Sequence, residues 1–400
     1  MDIPSAINQF SMDLFPQLSD EENLFFSPLG IYILLGILYE GARDSTRNEL
    51  SKLLHRDEKL SLAEHLGHLQ SKLNAGIKTH EDEETVSNKH SSSSDELDNQ
   101  LIPFSDADPP ELSIANGIWI QDTYKCKEVF LDSMRSKLAA KIEALDFKGN
   151  PIQACNTVNE WIHEETRGKI GPMLSPLQIS PLTRVILTNA LYFKANWEEE
   201  FGEPEPGAFY LLDGEQIEVP MMTNVCWRLG HKRADEFSVV KLPYYDSTIS
   251  MFVFSPHTNS AESLTALEEG LPKHWDMIRS EGLEHRNVTL TMPEFKIESG
   301  YELSTHLAQM GIDTIFHEGA DFSGMSEERG FYVNSILHNT YISVDRYGTE
   351  AAATGMAEML GMGEETEEGI PFMLDHPFLF LIADEASGVI LFLGKVLNPA

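Results

Sequence analysis

A chain of 400 residues with 42% hydrophobic side chains can bury a large core, which excludes a collagenous or wholly disordered polypeptide. Its formal net charge of -35 and pI near 4.6 repel phosphate backbones, anionic membranes and sulfated sugars, so nucleic-acid binding is disfavoured. Length alone would admit two or three domains, yet no long flexible linker divides the chain, and one body over 1–400 is the expectation.

The three cysteines, Cys126, Cys155 and Cys226, fit neither a metal knuckle nor a CxxC redox pair. Their odd number leaves at least one thiol unpaired within the chain, and reduced structural thiols are expected, with no metal and no cofactor. Met1-Asp2-Ile3 carries no basic stretch ahead of an apolar core, so no secretory signal is visible. Apolar runs such as Ile33–Leu35 are far too short to cross a bilayer. The expectation is a cytoplasmic protein, or an extracellular one without a visible signal peptide. Use of the Asn287 sequon for glycosylation depends on that route.

Along the chain, Ile3, Ile7, Phe10 and Leu14 recur at helical spacing. Ser27-Pro28 opens a second helix, since Ser is a favoured N-cap and the missing N–H of Pro is harmless in the first turn. That helix runs to Tyr39 and ends near Gly41; being apolar nearly all round, it belongs deep in the core. Residues 81–108 then hold nine acidic residues, one Lys and the run Ser91–Ser94, too little apolar surface to offset ordering entropy. They predict an exposed acidic, Ser-rich insertion over 76–110. A helix at Pro151–Thr166 is expected to bury Ile152, Cys155, Val158 and Ile162 and to close at Gly168. Strand-like runs rich in β-branched and aromatic residues occupy Ser113–Ile120, Arg184–Phe193, Phe237–Leu242, Ile249–Phe254, Val288–Ile297, Val333–Val344, Phe378–Ile382 and Val389–Leu393. Early helices and late strands, without strict alternation, predict an α+β fold with large mixed or antiparallel sheets.

Catalytic signatures fail in turn. Arg167 stands where a zinc helix begun by His163-Glu164 needs a second His. Glu328 stands where Gly324-Met325-Ser326 needs the Gly that completes a nucleophile elbow. Gly361 and Gly363 lack the third Gly of a dinucleotide loop, and no P-loop occurs.

The segment after Val333–Val344 is unusual. Successive strand residues point to opposite faces, so residues 348–362 divide into two sets. Thr349, Ala351, Ala353, Gly355, Ala357, Met359 and Gly361 carry no charge and are mostly very small. The other set includes Glu350 and Glu358. Ala and Gly gain little by packing in a permanent strand, but small inward residues suit a segment that enters an already packed sheet. Such a segment can be a loop or a strand.

Several long motifs, in order over nearly the whole chain, resemble the serpin family. They are Asn23-Leu24-Phe25-Phe26-Ser27-Pro28, the run Thr188–Trp197, Asn159–Ile170, Ala320-Asp321-Phe322-Ser323-Gly324-Met325, Asp375-His376-Pro377-Phe378-Leu379-Phe380 and Gly394–Pro399. The Asp-His-Pro-Phe ending looks most like the ovalbumin-type, intracellular-like branch or an invertebrate relative. The resemblance implies three β-sheets, about eight to nine helices and an exposed reactive loop at 346–370. It implies a serine protease inhibitor, not an enzyme, acting as a suicide substrate: a target serine protease cleaves the loop, is held as a covalent acyl-enzyme, and is dragged off as the loop enters the central sheet. The alternative within the family is a non-inhibitory carrier, storage or chaperone-type protein.

By the same resemblance the hinge falls on Gly348, Thr349, Glu350, Ala351, Ala352, Ala353 and Thr354. The commonest loop length puts the scissile bond at Met362-Gly363, with Leu360-Gly361 and Met359-Leu360 as fallbacks. Residues 347–370 contain no Arg or Lys, so apolar pockets of chymotrypsin-like or elastase-like proteases fit better than a trypsin-like one. The polar shutter, where central strands part, maps to Ser27, Asn189 and His338. Gly30 replaces a second Ser common in the family, and Arg346 and Tyr347 replace the usual acidic residues. A glycosaminoglycan cofactor is disfavoured by the acidic 81–108 segment. A monomer is expected.

Overall fold

The computed structural model describes residues 2–19, 22–56, 61–76, 110–328, 330–350 and 369–400. Most of the acidic insertion and residues 351–368 of the expected reactive loop lie outside them.

The opening helix spans Ile3–Leu18, with Asp2 accepting a 2.8 Å hydrogen bond from the Ser5 N–H and Ile3, Ile7, Phe10 and Leu14 all buried. The second spans Pro28–Gly41, capped by the Ser27 hydroxyl, and nearly every side chain in it is buried. It has no solvent face because it packs on strands of both large sheets.

Eight α-helices occur among the described residues, with two hydrogen-bonded sheets of six and nine strands. The six-stranded central sheet orders Phe295–Glu302, Val333–Asp345, Gly348–Thr349, Val185–Asn196, Glu111–Gln121 and Lys141–Leu145. The nine-stranded assembly comprises two sheet segments joined by one long strand, Gln216–Arg233, which shifts register between Asn224 and Trp227. One end of that strand pairs with Glu205–Tyr210 and the other with Phe237–Pro243. The three-sheet arrangement thus appears as two ladders, because a bulge bends the shared strand without ending it.

Two sequence expectations change. The run Val288–Ile297 is two strands, Glu284–Pro293 and Phe295–Glu302, in different sheets. Pro293 lies at the break; Glu294 leaves the ladder and its N–H donates to Pro220 O at 2.9 Å. Ile152 is 62% exposed, because in the first turn of its helix it points away from the sheet that Ala154, Cys155, Val158 and Ile162 cover.

The helix Pro151–Glu165 lies on one face of the central sheet, where Val158 and Ile162 pack with Trp119, Ile186, Ala190 and Leu337. The other face of the sheet joins a larger core shared with the second helix and the nine-stranded assembly. Val185–Asn196 is therefore covered on both faces, which explains its nearly continuous burial. Among the described residues no helix is long and apolar enough to cross a membrane.

Candidate functional site

The strands Val185–Asn196 and Val333–Asp345 run parallel and pair directly from Val185 opposite Val333 to Leu191 opposite Thr340. Past that point they part. Gly348–Thr349 forms a two-residue antiparallel strand between them, with Thr349 opposite Ala195 and Val344 and Gly348 opposite Asn196 and Asp345.

The chain reverses into this wedge through Asp345, whose Oδ1 accepts from the N–H groups of Tyr347 (2.8 Å) and Gly348 (3.2 Å). Burial raises the Asp345 carboxyl above its usual range, and these two bonds oppose the rise. Trp197 braces the turn, its backbone N–H donating to Tyr347 O at 2.9 Å and its Nε1–H to Asp345 O at 3.0 Å. Arg346 pairs with Glu203 at 2.5 Å and lies 4.5 Å over the Tyr347 ring, so the two residues that depart from the family pattern form a local cation–aromatic unit. A Cβ on Gly348 would collide with Ala195 O and the Asn196 Cα, so only Gly admits this close backbone approach.

Thr349 is 1% exposed, and its hydroxyl lies 2.6 Å from that of Tyr244, whose ring stacks on Trp197 at 4.6 Å. Burial drives the Tyr244 phenol far above its ordinary value. The chain leaves the sheet at Glu350, which has a left-handed φ of 55° and donates its N–H to Ser343 O at 2.7 Å. Such a backbone costs a non-Gly residue about 1–3 kcal/mol. The Glu350 carboxylate meets Lys169 Nζ at 2.5 Å, tying the exit point to the segment after the covering helix. Beside it, burial and the Glu350 charge push the Tyr192 phenol up to about 12.

A buried polar chain lies below, where the two strands are still joined. The Ser27 N–H donates to His338 Nε2 at 2.9 Å, and His338 Nδ1 meets Asn189 Oδ1 at 2.8 Å. With one ring nitrogen accepting, the other carries the proton, so the imidazole is neutral; full burial pushes its pKa down to about 3. Asn189 Nδ2 in turn donates to Asn116 Oδ1 at 2.9 Å, and the Ser27 hydroxyl donates to Leu391 O at 2.6 Å. A Cβ on Gly30 would strike Asn189 Oδ1 and Leu191 Cδ1, which gives the Gly at this position a packing reason. Gly30→Ala is expected to destabilise the native state by about 1–3 kcal/mol through this overpacking. Chemical denaturation checks it, and an unshifted midpoint would mean that Asn189 yields freely.

The structure thus brings Ser27, Asn189 and His338 into one network and places Gly348, Thr349 and Glu350 at the parting of the strands. Ala351, Ala352, Ala353, Thr354, Met359, Leu360, Gly361, Met362 and Gly363 lie outside the described residues. Asn287 is half-buried in a strand, opposite Arg228. Sequence reasoning missed Tyr244 and Asn116, which no local pattern marks, and the partnership of Lys169 with Glu350, although both stand within quoted motifs.

Residues 5–399 match the family model described as serpin (serine protease inhibitor). The leukocyte elastase inhibitor of Equus caballus is 31% identical over 410 residues, covering 99% of each chain. An uncharacterized serpin-like protein of Methanosarcina acetivorans is 32% identical over 408 residues, covering 100% of this chain and 88% of the relative. Uncleaved ovalbumin shares the fold with a TM-score of 0.83 at 24% identity, covering 100% of both chains. With the motifs, the parted central sheet and these likenesses in agreement from end to end, the chain belongs to the serpin family.

Proposed function

We propose that this chain inhibits serine proteases once per molecule, with 346–370 as bait. The protease serine oxygen attacks the Met362 carbonyl carbon, the bond to the Gly363 nitrogen breaks, that nitrogen leaves as an amine taking up a proton, and an ester holds the protease on Met362. The nucleophile is the protease's own, so the chain acts as a substrate that traps and not as an enzyme. Insertion of the freed segment into the central sheet then carries the ester-linked protease away before water can hydrolyse it.

The observation that carries this reading is the two-residue wedge Gly348–Thr349 between the parted strands. Continuing its register downward sets Ala351 opposite Phe193 and Ile342, Ala353 opposite Leu191 and Thr340, Gly355 opposite Asn189 and His338, Ala357 opposite Leu187 and Ile336, and Met359 opposite Val185. The flanking residues on that face are buried and mostly large, so the small set is the one that fits between them. Gly355 would fall at the polar shutter, where the least side-chain volume is available. All three candidate bonds lie at or beyond Met359, so cleavage at any of them leaves enough chain to fill the opening. Met and Leu at these positions suit apolar specificity pockets, and the leukocyte elastase inhibitor among the relatives agrees with that target class.

Incubation of the full chain with chymotrypsin, an elastase and trypsin, followed by a denaturing gel, tests the proposal. An adduct stable to denaturant is expected with the first two and not with trypsin. The released C-terminal peptide should begin at Gly363 by mass spectrometry. Clean cleavage without adduct would instead mark a non-inhibitory family member.

A further inference from the structure

The turn that seats Gly348–Thr349 in the central sheet hangs on two carboxylates. The successive backbone N–H groups of Arg346, Tyr347 and Gly348 all donate to acidic side chains. The first donates to Glu294, and the other two donate to Asp345 Oδ1 at 2.8 and 3.2 Å. One carboxylate could satisfy such a run; two bring like charges onto one turn. Glu294 reaches it from the junction of Glu284–Pro293 and Phe295–Glu302, with its own N–H fixed on Pro220 O at 2.9 Å. Its bond to Arg346 therefore ties the turn to the nine-stranded assembly.

Burial raises both carboxyls above their usual range, and the Asp345 charge raises Glu294 further. The bonds from the turn, Lys296 on the strand Phe295–Glu302 and Arg346 oppose the rise without cancelling it. The remaining charged groups at the turn are Glu200 and Glu203, on the loop after Val185–Asn196, and both act on Arg346. Both bonds to Asp345 fall on Oδ1, so Oδ2 can carry a proton while each N–H keeps its acceptor.

We propose that Asp345 and Glu294 form a proton-operated latch on the hinge. With one proton on the pair the turn holds Gly348–Thr349 firmly between the parted strands; with both carboxylates charged the turn loosens and the hinge leaves more readily. The burial and the neighbouring charge that raise the two groups exist only while the turn is closed. Their contribution to closure is thus fully present below the ordinary carboxyl range and is lost as pH rises through the raised values. Mild acid seats the hinge, and neutrality frees it. The inference concerns the native chain and its test needs no protease, so it and the inhibitor reading can fail separately.

Amide hydrogen exchange of the full chain is measured at Arg346–Glu350 at pH 7.5 and pH 5, each rate divided by its intrinsic value. Protection in the parent is expected to grow severalfold toward pH 5. Glu294→Gln and Asp345→Asn keep the acceptor oxygens but remove one charge. Each should be as protected at pH 7.5 as the parent is at pH 5, with little further change; if one fails to fold, the other decides. Glu294→Gln should also melt above the parent at pH 7.5, with the gap closing toward pH 4.5. His338 is common to both chains, so its titration cancels in that difference. Protection in the parent that is indifferent to pH overturns the latch, as does a pH dependence that survives in the variants. Equal melting of Glu294→Gln and parent at pH 7.5 overturns it too.

Discussion

Thr349→Arg is expected to convert the protein from an inhibitor into a substrate, with cleavage by chymotrypsin preserved and covalent adduct reduced at least tenfold. Thr349 is 1% exposed and 2.6 Å from the Tyr244 hydroxyl, so a guanidinium there has neither room nor a counter-charge. Burying it unpaired costs several kcal/mol, and a tenfold loss of partitioning needs only about 1.4 kcal/mol. The substitution acts at the first rung of the insertion register, whereas the attacked bond lies more than ten residues away in sequence. Thr349→Val, similar in size and uncharged, should keep most of the adduct. Gel densitometry of adduct against cleaved chain reads the ratio, and an Arg variant that traps as well as the parent contradicts insertion at this rung.

Asn189→Ala is expected to lower native stability by about 2–4 kcal/mol, since it opens a cavity and leaves buried hydrogen-bonding atoms unpaired. The atoms concerned are His338 Nδ1 and Asn116 Oδ1, both in the buried chain that locks the two strands where they still pair directly. The first transition in chemical denaturation should move accordingly, and the variant should convert to an inserted, non-inhibitory form faster than the parent. His338 adds a pH dependence whose sign follows from its burial. Its folded pKa near 3 lies below the model-peptide value of 6.5, so the unfolded chain takes up the proton first as pH falls. Its contribution is intact above 6.5 and is lost progressively down to about 3, at up to about 1.4 kcal/mol per pH unit. Between pH 6.5 and 5, His338→Asn should show a shallower fall of stability than the parent; equal slopes contradict a neutral buried imidazole.

What could be read in advance was whatever local chemistry determines. Ser27-Pro28 announces a capped helix because the hydroxyl of Ser27 satisfies a first-turn N–H, and the structure has that bond from Gly30. The run Val185–Asn196 announces a strand by its side chains alone. By contrast, Val288–Ile297 reads as one strand although its apolar parity flips between Met292 and Phe295, across Pro293-Glu294, and the sheet that each half joins is decided by distant partners. Ile152 sits at helical spacing with buried neighbours yet faces water, since a first turn can overhang the sheet it covers. In the site, Ser27, Asn189 and His338 were legible only through family likeness; their convergence joins residues up to 311 apart in sequence. Asn116, Tyr244 and the Lys169–Glu350 pair depend on tertiary register that no spacing rule encodes.

The central claim is that the segment after Thr349 can become a full strand between Val185–Asn196 and Val333–Asp345. The most direct test nicks the chain within 351–368 with a non-target protease and follows thermal unfolding of the nicked and intact forms. About ten added residues with roughly 1 kcal/mol per new hydrogen bond should raise the unfolding midpoint by roughly 20 °C. A nicked chain that unfolds at the same temperature as the intact one would contradict the account.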